Sequence, residues 1–254
     1  MIAPQNGRSN GRSTGQVRTA AGADGCRAGW VYVVVDSGPP SRVLRCAVAP
    51  TFSELLMQTG ECGAVGIDIP IGLPNLLPEG GRACDKAARA LLKPDRHPSV
   101  FSAPPRRVLD SRSYDEANQL HRENAEAQQG MSRQAFGLLP KIAEVDDLMT
   151  PKLQRRVFEV HPELSFLELN GGTPLRYPKT SAAGLLTRMR LLTEVGLTEG
   201  LEDAANRMGR TGLDDLLDAT AAAWSAARIL SGAAKSLPEQ PDRDVRGLRM
   251  EIWR

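Results

Sequence analysis

From Ala20 onward, short runs of small and β-branched residues alternate with turn residues, and these runs define the first elements. Ala20 to Asp24 predicts a small-residue strand, Gly25 to Gly29 a turn, and Trp30 to Asp36 a β-branched strand. Ser37 to Ser41, with two prolines, predicts a loop, and Arg42 to Ala49 a third strand, so the chain opens as an antiparallel meander. Thr51 is placed as an N-cap, with Glu54 three residues later and Phe52, Leu55 and Leu56 on the apolar face of a short helix. Ala64 to Pro70 predicts a fourth strand, apolar on both faces apart from Asp68, the pattern of a strand covered on two sides.

Residues 71 to about 155 read as an insertion that opens Gly- and Pro-rich and continues with helical segments around 82 to 92, 113 to 129 and 132 to 149. Strand character returns at Arg156 to His161 and stops at Pro162. Helices are expected at 163 to 169, 180 to 195 and 213 to 231. The segment 232 to 254 is ambiguous, with Leu248 to Trp253 available as a short strand. Three strands, a helix, a fourth strand, an excursion, a fifth strand and closing helices predict an α/β architecture with a mixed sheet. Residues 1 to 19 are rich in Gly, Ser, Asn and Arg without periodicity and read as a flexible tail, leaving 20 to 254 as one domain.

Composition narrows the function classes. With 41% hydrophobic and 24% charged residues, the chain is that of an ordinary globular protein. Apart from three arginines in the first 19 residues, acids outnumber bases by one, so the broad basic footprint of a nucleic-acid binder is absent from the global balance. The longest apolar runs are about seven residues, too short to cross a bilayer, and no apolar segment follows the first arginines, so no membrane association and a cytoplasmic location are expected. Cys26, Cys46, Cys62 and Cys84, at intervals of 20, 16 and 22, do not pair as a zinc knuckle and are expected to be free thiols.

The candidate chemistry lies in carboxylates at positions where burial is expected. Asp24 ends a run of small residues before Gly25, where a plain Asp-Gly turn is the competing reading. Asp68 must neutralise, pair with a cation or bind metal, an arginine ion pair being the bland alternative. Asp215 and Asp218, three apart on one helix face, either complement the helix dipole or face a site. Asp214 is expected to point elsewhere. The helix is nearly apolar beyond Asp218, which favours burial. If Asp24, Asp68, Asp215 and Asp218 converge, their repulsion calls for a hard divalent cation, Mg2+ or Mn2+. Glu159 and His161 share one face of the fifth strand, Glu159 as a further catalytic candidate and His161 as a proton carrier or orienting group, against a polar edge face. Arg106, Arg133, Gln134, Lys141 and Lys179 are candidates for phosphate contact, against solvated surface positions. His97 and His121 are read as surface residues.

Gly22-Ala23-Asp24-Gly25-Cys26-Arg27-Ala28-Gly29-Trp30, Val65 to Pro74, Glu159-Val160-His161-Pro162-Glu163 and Asp214 to Ala219 together resemble domain-of-unknown-function family 429, predicted ribonuclease H-like nucleases, over about residues 20 to 231. The resemblance implies a ribonuclease H-like fold, a five-stranded mixed sheet flanked by helices, with the helical insertion after the fourth strand. The Asp215 to Asp218 spacing is also similar to the closing helix of Holliday-junction resolvases, where two acids bind metal. Ribonuclease H proper carries a glutamate on its first helix, where Glu54 is the only acid here, and the resolvases place a glutamate where this chain has Asp68.

The leading expectation is therefore a metal-dependent phosphodiesterase acting on nucleic acid. An ATP-binding phosphotransferase of the actin-like or sugar kinase type is the alternative from Asp24-Gly25 and Gly29, and a noncatalytic binding module is the third. DNA or RNA, strandedness and oligomeric state are left open.

Overall fold

In a computed structural model, residues 19–38, 41–208 and 212–254 are described, so nearly all of the tail read at 1 to 19 lies outside the described residues. Strands β1 (Thr19–Cys26), β2 (Gly29–Asp36) and β3 (Arg42–Ala49) form the meander, α1 (Phe52–Gln58) follows, and β4 (Ala64–Ile67) and β5 (Val157–Glu159) complete a five-stranded sheet. Its order is β3-β2-β1-β4-β5. The first three strands are antiparallel, whereas β4 runs parallel to both β1 and β5, so the sheet is mixed. Thr51 caps α1 by accepting a hydrogen bond from the Glu54 N–H.

Between β4 and β5 lie α2 (Ala83–Leu91), α3 (Tyr114–Glu123) and α4 (Arg133–Leu148). After β5 come α5 (Pro162–Leu169), α6 (Ala182–Glu194), α7 (Leu201–Met208) and α8 (Leu213–Ser231). The ambiguous closing segment contributes β6 (Ser236–Leu237) and β7 (Ile252–Trp253), a separate two-stranded ribbon. Helix α7 has no counterpart in the periodicity. Its eight residues span about two turns, too few for a 3.6-residue repeat to stand out. No helix is long and apolar enough to cross a membrane among the described residues.

The two sheet faces bury different partners. Trp30, Tyr32, Val34, Val65 and Ile67 pack with Phe52, Leu55, Ile142 and Val145 on one side. Ala20, Val31, Val33, Val35 and Ala64 pack with Leu216, Ala219, Ala223 and Ala226 of α8 on the other. This is the alternation expected when successive side chains leave opposite faces.

Two glycines set how closely α8 sits. A Cβ on Gly22 would lie 2.0 Å from the Ala223 nitrogen and 2.2 Å from the Ala219 oxygen, and one on Gly66 would lie 2.8 Å from the Ala222 oxygen. Gly22 and Gly66 are register partners on β1 and β4. Helix backbone therefore rests directly on strand backbone at this crossing. By the two-residue period, Gly22 shares a face with Asp24 and Gly66 with Asp68. The first turns of α8 thus lie over the carboxyl ends of both strands.

Substitution separates this contact from an ordinary glycine. Gly22→Ala is expected to destabilise the fold by about 3 kcal/mol or more, because backbone rather than a movable side chain occupies the space. Gly137→Ala in α4, with nothing within 4 Å of the added Cβ, is expected to stabilise by about 0.5 to 1 kcal/mol. Denaturant unfolding of both variants checks the pair, and equal effects would contradict the close seating of α8.

Candidate metal centre

The parallel register that pairs Ala23 with Ile67 puts the next residues, Asp24 and Asp68, side by side, and the Asp68 N–H donates to the Ala23 carbonyl at 3.2 Å. Helix α8, seated on the glycines, brings Asp218 to the same point. One carboxylate oxygen from each of Asp24, Asp68 and Asp218 lies within 4.8 Å of the other two. Asp24 and Asp218 are buried and Asp68 is half-buried. All three border a cavity of about 310 Å³, together with the half-buried Asp215.

Burial and mutual repulsion act on each acid in the same direction. Burial raises Asp24 well above its ordinary value, with Asp68 and then Asp218 adding to it. Burial also raises Asp68, against the pull of His161 and Lys179. Asp218 is pushed up to about 6 by burial, although Lys179 opposes the rise. Burial lifts Asp215, and Asp214 lifts it further.

The compensating charge is small. Lys179 Nζ donates to Asp218 Oδ2 at 2.6 Å and lies 3.7 Å from Asp214 Oδ2. These contacts raise Lys179 above its ordinary value, despite the opposing effect of burial. Among the described residues, no ion pair or side-chain hydrogen bond reaches the carboxylate of Asp24 or Asp68, so the arginine partner considered for Asp68 is not there. Three hard oxygen donors from three chain segments, two of them unpaired, form a donor set that fits a divalent cation.

Other predicted site residues are distributed differently. Glu159 does not join the cluster. Arg82 donates to both its oxygens, at 2.6 and 2.9 Å, and the Ile71 N–H donates at 2.7 Å. Arg82 also bonds Asp85 and the carbonyls of Ile71 and Gly72, so this buried network ties the insertion to β5. Burial pushes Glu159 up to about 7 against the pull of Arg82. Arg106 pairs with Asp146 and Asp244 rather than facing the cavity. Arg133 stacks over the Tyr114 ring, 4.2 Å from its centroid. Lys141 sits over the Trp30 ring at 4.9 Å and pairs with Glu144.

Gln134, His161 and Lys179 do border the cavity. His161 Nδ1 accepts from the Glu163 N–H at 3.2 Å as it caps α5, which leaves Nε2 to donate to the Ser99 carbonyl, 3.4 Å away. Asp214 approaches Lys179 alongside Asp218, as positions four apart on a helix should. His121 is buried, with Nδ1 2.8 Å from the Gln129 carbonyl, so its surface placement is corrected. None of the four cysteines forms a disulfide among the described residues.

Two cavity residues were given no role from the sequence. Arg96 borders the cavity, and among the described residues its guanidinium makes no hydrogen bond or ion pair. Glu163 borders it too. Arg96 stands in a polar stretch of the insertion, and Glu163 resembles an ordinary first-turn helix acid.

A pH dependence follows from the raised carboxyls. Between its unfolded and folded values, a raised carboxyl binds more protons in the native state, so the stability it contributes is lost as pH rises through that window. Asp24→Asn removes this loss without removing a hydrogen bond. In divalent-free buffer the variant is expected to match the wild type near pH 3.8 and to become the more stable of the two as pH rises toward neutrality. Thermal unfolding across pH checks this. A variant less stable than wild type at neutral pH would contradict an uncompensated Asp24.

The family model described as Protein of unknown function (DUF429) matches residues 22–243. No curated protein or solved structure matches the chain. The matched span contains the five strands of the main sheet from Gly22 onward, the eight helices and all three converging carboxylates, and the chain belongs to the DUF429 family.

Proposed function

We propose that the protein hydrolyses phosphodiester bonds of a nucleic acid, using Mg2+ or Mn2+ held by Asp24, Asp68 and Asp218. The observation that carries this reading is the convergence of three carboxylate oxygens within 4.8 Å, beside a cavity in which, among the described residues, Lys179 alone pairs with an acid of the cluster. Acids on the first strand, just after the fourth, and on the closing helix also support the ribonuclease H-like reading.

A bound divalent ion supplies Lewis-acid polarisation of a phosphoryl oxygen and neutralises charge there. The chain's own residues supply the rest. Arg96, with no partner for its guanidinium among the described residues, is available to a phosphate. Lys179 is held at the cavity by Asp218 and Asp214, and it offsets negative charge where a phosphate would enter. Gln134 adds a donor along the wall. A cavity of about 310 Å³ is at the small end of ligand pockets and suits one nucleotide unit rather than a duplex groove. The near-balanced global charge agrees with local rather than broad recognition. The described residues form one five-stranded sheet, whereas the phosphotransferase arrangement uses one in each of two domains.

Cleavage of labelled oligonucleotides with and without Mn2+ tests the reading. Asp68→Asn is expected to keep the fold and lower metal-dependent cleavage by more than about 100-fold, beyond the effect of an outer-shell partner. Arg96→Ala is expected to raise KM about tenfold with a smaller change in kcat, as for a charged contact already made to the bound substrate. Unchanged cleavage by Asp68→Asn would overturn the hydrolytic reading, and saturable ATP binding without cleavage would favour the phosphotransferase.

A further inference from the structure

Glu163 opens α5 immediately after β5 and is 92% buried, with 8% of its surface exposed. Arg188 from α6, itself 1% exposed, donates through Nη2 to Glu163 Oε1 at 2.5 Å. The guanidinium is fixed in turn by the carbonyls of Tyr177 and Gly184, at 3.2 and 3.1 Å, and lies over the Phe166 ring. An ion pair joining α5 to α6 would account for Oε1. It does not account for Oε2, which, like Arg188 Nε, is buried without a hydrogen-bond partner among the described residues.

A buried carboxylate oxygen without a donor is costly, and a catalytic role is one reason for a protein to retain it. Glu163 borders the same cavity as the carboxylate cluster. Asp68 and Asp218 both feel the Glu163 charge, which places it near the cluster, although it is not among the three oxygens that converge there. The other cavity acids differ from it. Asp24, Asp68 and Asp218 belong to the cation's donor set, Asp218 being paired with Lys179 as well, and Asp215 is only half-buried.

We propose that Glu163 is the proton acceptor for the attacking water, a role that rests on the hydrolytic reading above. Water donates to Oε2, and Arg188 holds the carboxylate in one orientation through Oε1. As the water oxygen forms its bond to phosphorus, one of its protons passes to Oε2. The opposite P–O bond breaks, its electron pair leaves with the departing oxygen, and that oxygen takes a proton from solvent. Glu163 then returns its proton to solvent.

The full chain loaded with Mn2+ is the material for the test. Glu163→Gln keeps a carbonyl oxygen for Arg188 and is expected to bind Mn2+ within about threefold of wild type by calorimetry. Its kcat on a single-stranded oligonucleotide is expected to fall by roughly 100-fold or more, with KM little changed. A crystal of the Mn2+-loaded wild type is expected to show an ordered water within hydrogen-bond distance of Oε2. A folded, Mn2+-binding Glu163→Gln chain with kcat within about threefold of wild type would overturn the assignment and leave the hydrolytic reading standing. Should the variant fail to fold or lose Mn2+, the wild-type crystal decides. Water on Oε2 supports the role, and an Oε2 facing only protein or the cation overturns it. A wild type that neither binds Mn2+ nor cleaves fails at the earlier step, the hydrolytic reading itself.

Discussion

The direct seating of the α8 backbone on Gly22 and Gly66 is the constraint from which the site follows. With a side chain at either glycine, the helix would have to move away from the sheet, and Asp218 would move with it. With none, three acids meet, from strand β1, from helix α8 and from the bend just after β4, a strand that ends at Ile67 and not at Pro70 as its apolar run predicts. That placement holds them against their own repulsion, and a site held this way is preorganised for a cation. Packing of Leu216, Ala219, Ala223 and Ala226 on the sheet offsets the electrostatic strain.

Elsewhere the protein matches its buried charges closely. Arg82 is shared between Asp85 and Glu159, Arg188 serves Glu163, and Arg106 bridges Asp146 and Asp244. Such pairs cost desolvation on both sides and survive because the geometry returns it. The carboxylate cluster departs from this pattern. Lys179 reaches Asp218 and Asp214, while Asp24 and Asp68 have no paired cation among the described residues. Perturbed acids in a cleft mark functional sites more often than structural ones, and here the contrast lies within one molecule.

Much of the architecture was legible in the residue pattern, because β-branched runs, the Thr51 cap and the apolar helix after Asp218 are local signals. The converging acids were legible for a related reason. Asp68 stands alone in an apolar run, and Asp218 heads a helix with no solvent face. Pairing across long separations was not. Glu159 and Arg82 are 77 residues apart, and nothing near either one shows that they neutralise each other. The same holds for Arg106 with Asp146 and Asp244, which turned a phosphate candidate into a structural cation. Of the four acids expected to converge, Asp215 borders the cavity without joining the three oxygens that meet, and Asp214, expected to point elsewhere, touches Lys179 from outside the cavity lining. Arg96 and Glu163 were overlooked because what distinguishes them is a missing partner, a property of the folded surroundings and not of residue type.

The most direct measurement of the central claim is calorimetric titration of Mn2+ into the divalent-free full chain near neutral pH, with the Asp24→Asn, Asp68→Asn double variant alongside. Saturable binding by the wild type that disappears in the double variant is the result expected of a carboxylate cluster built for a cation. Absence of saturable binding in the folded wild type, or equal binding by both chains, would contradict it.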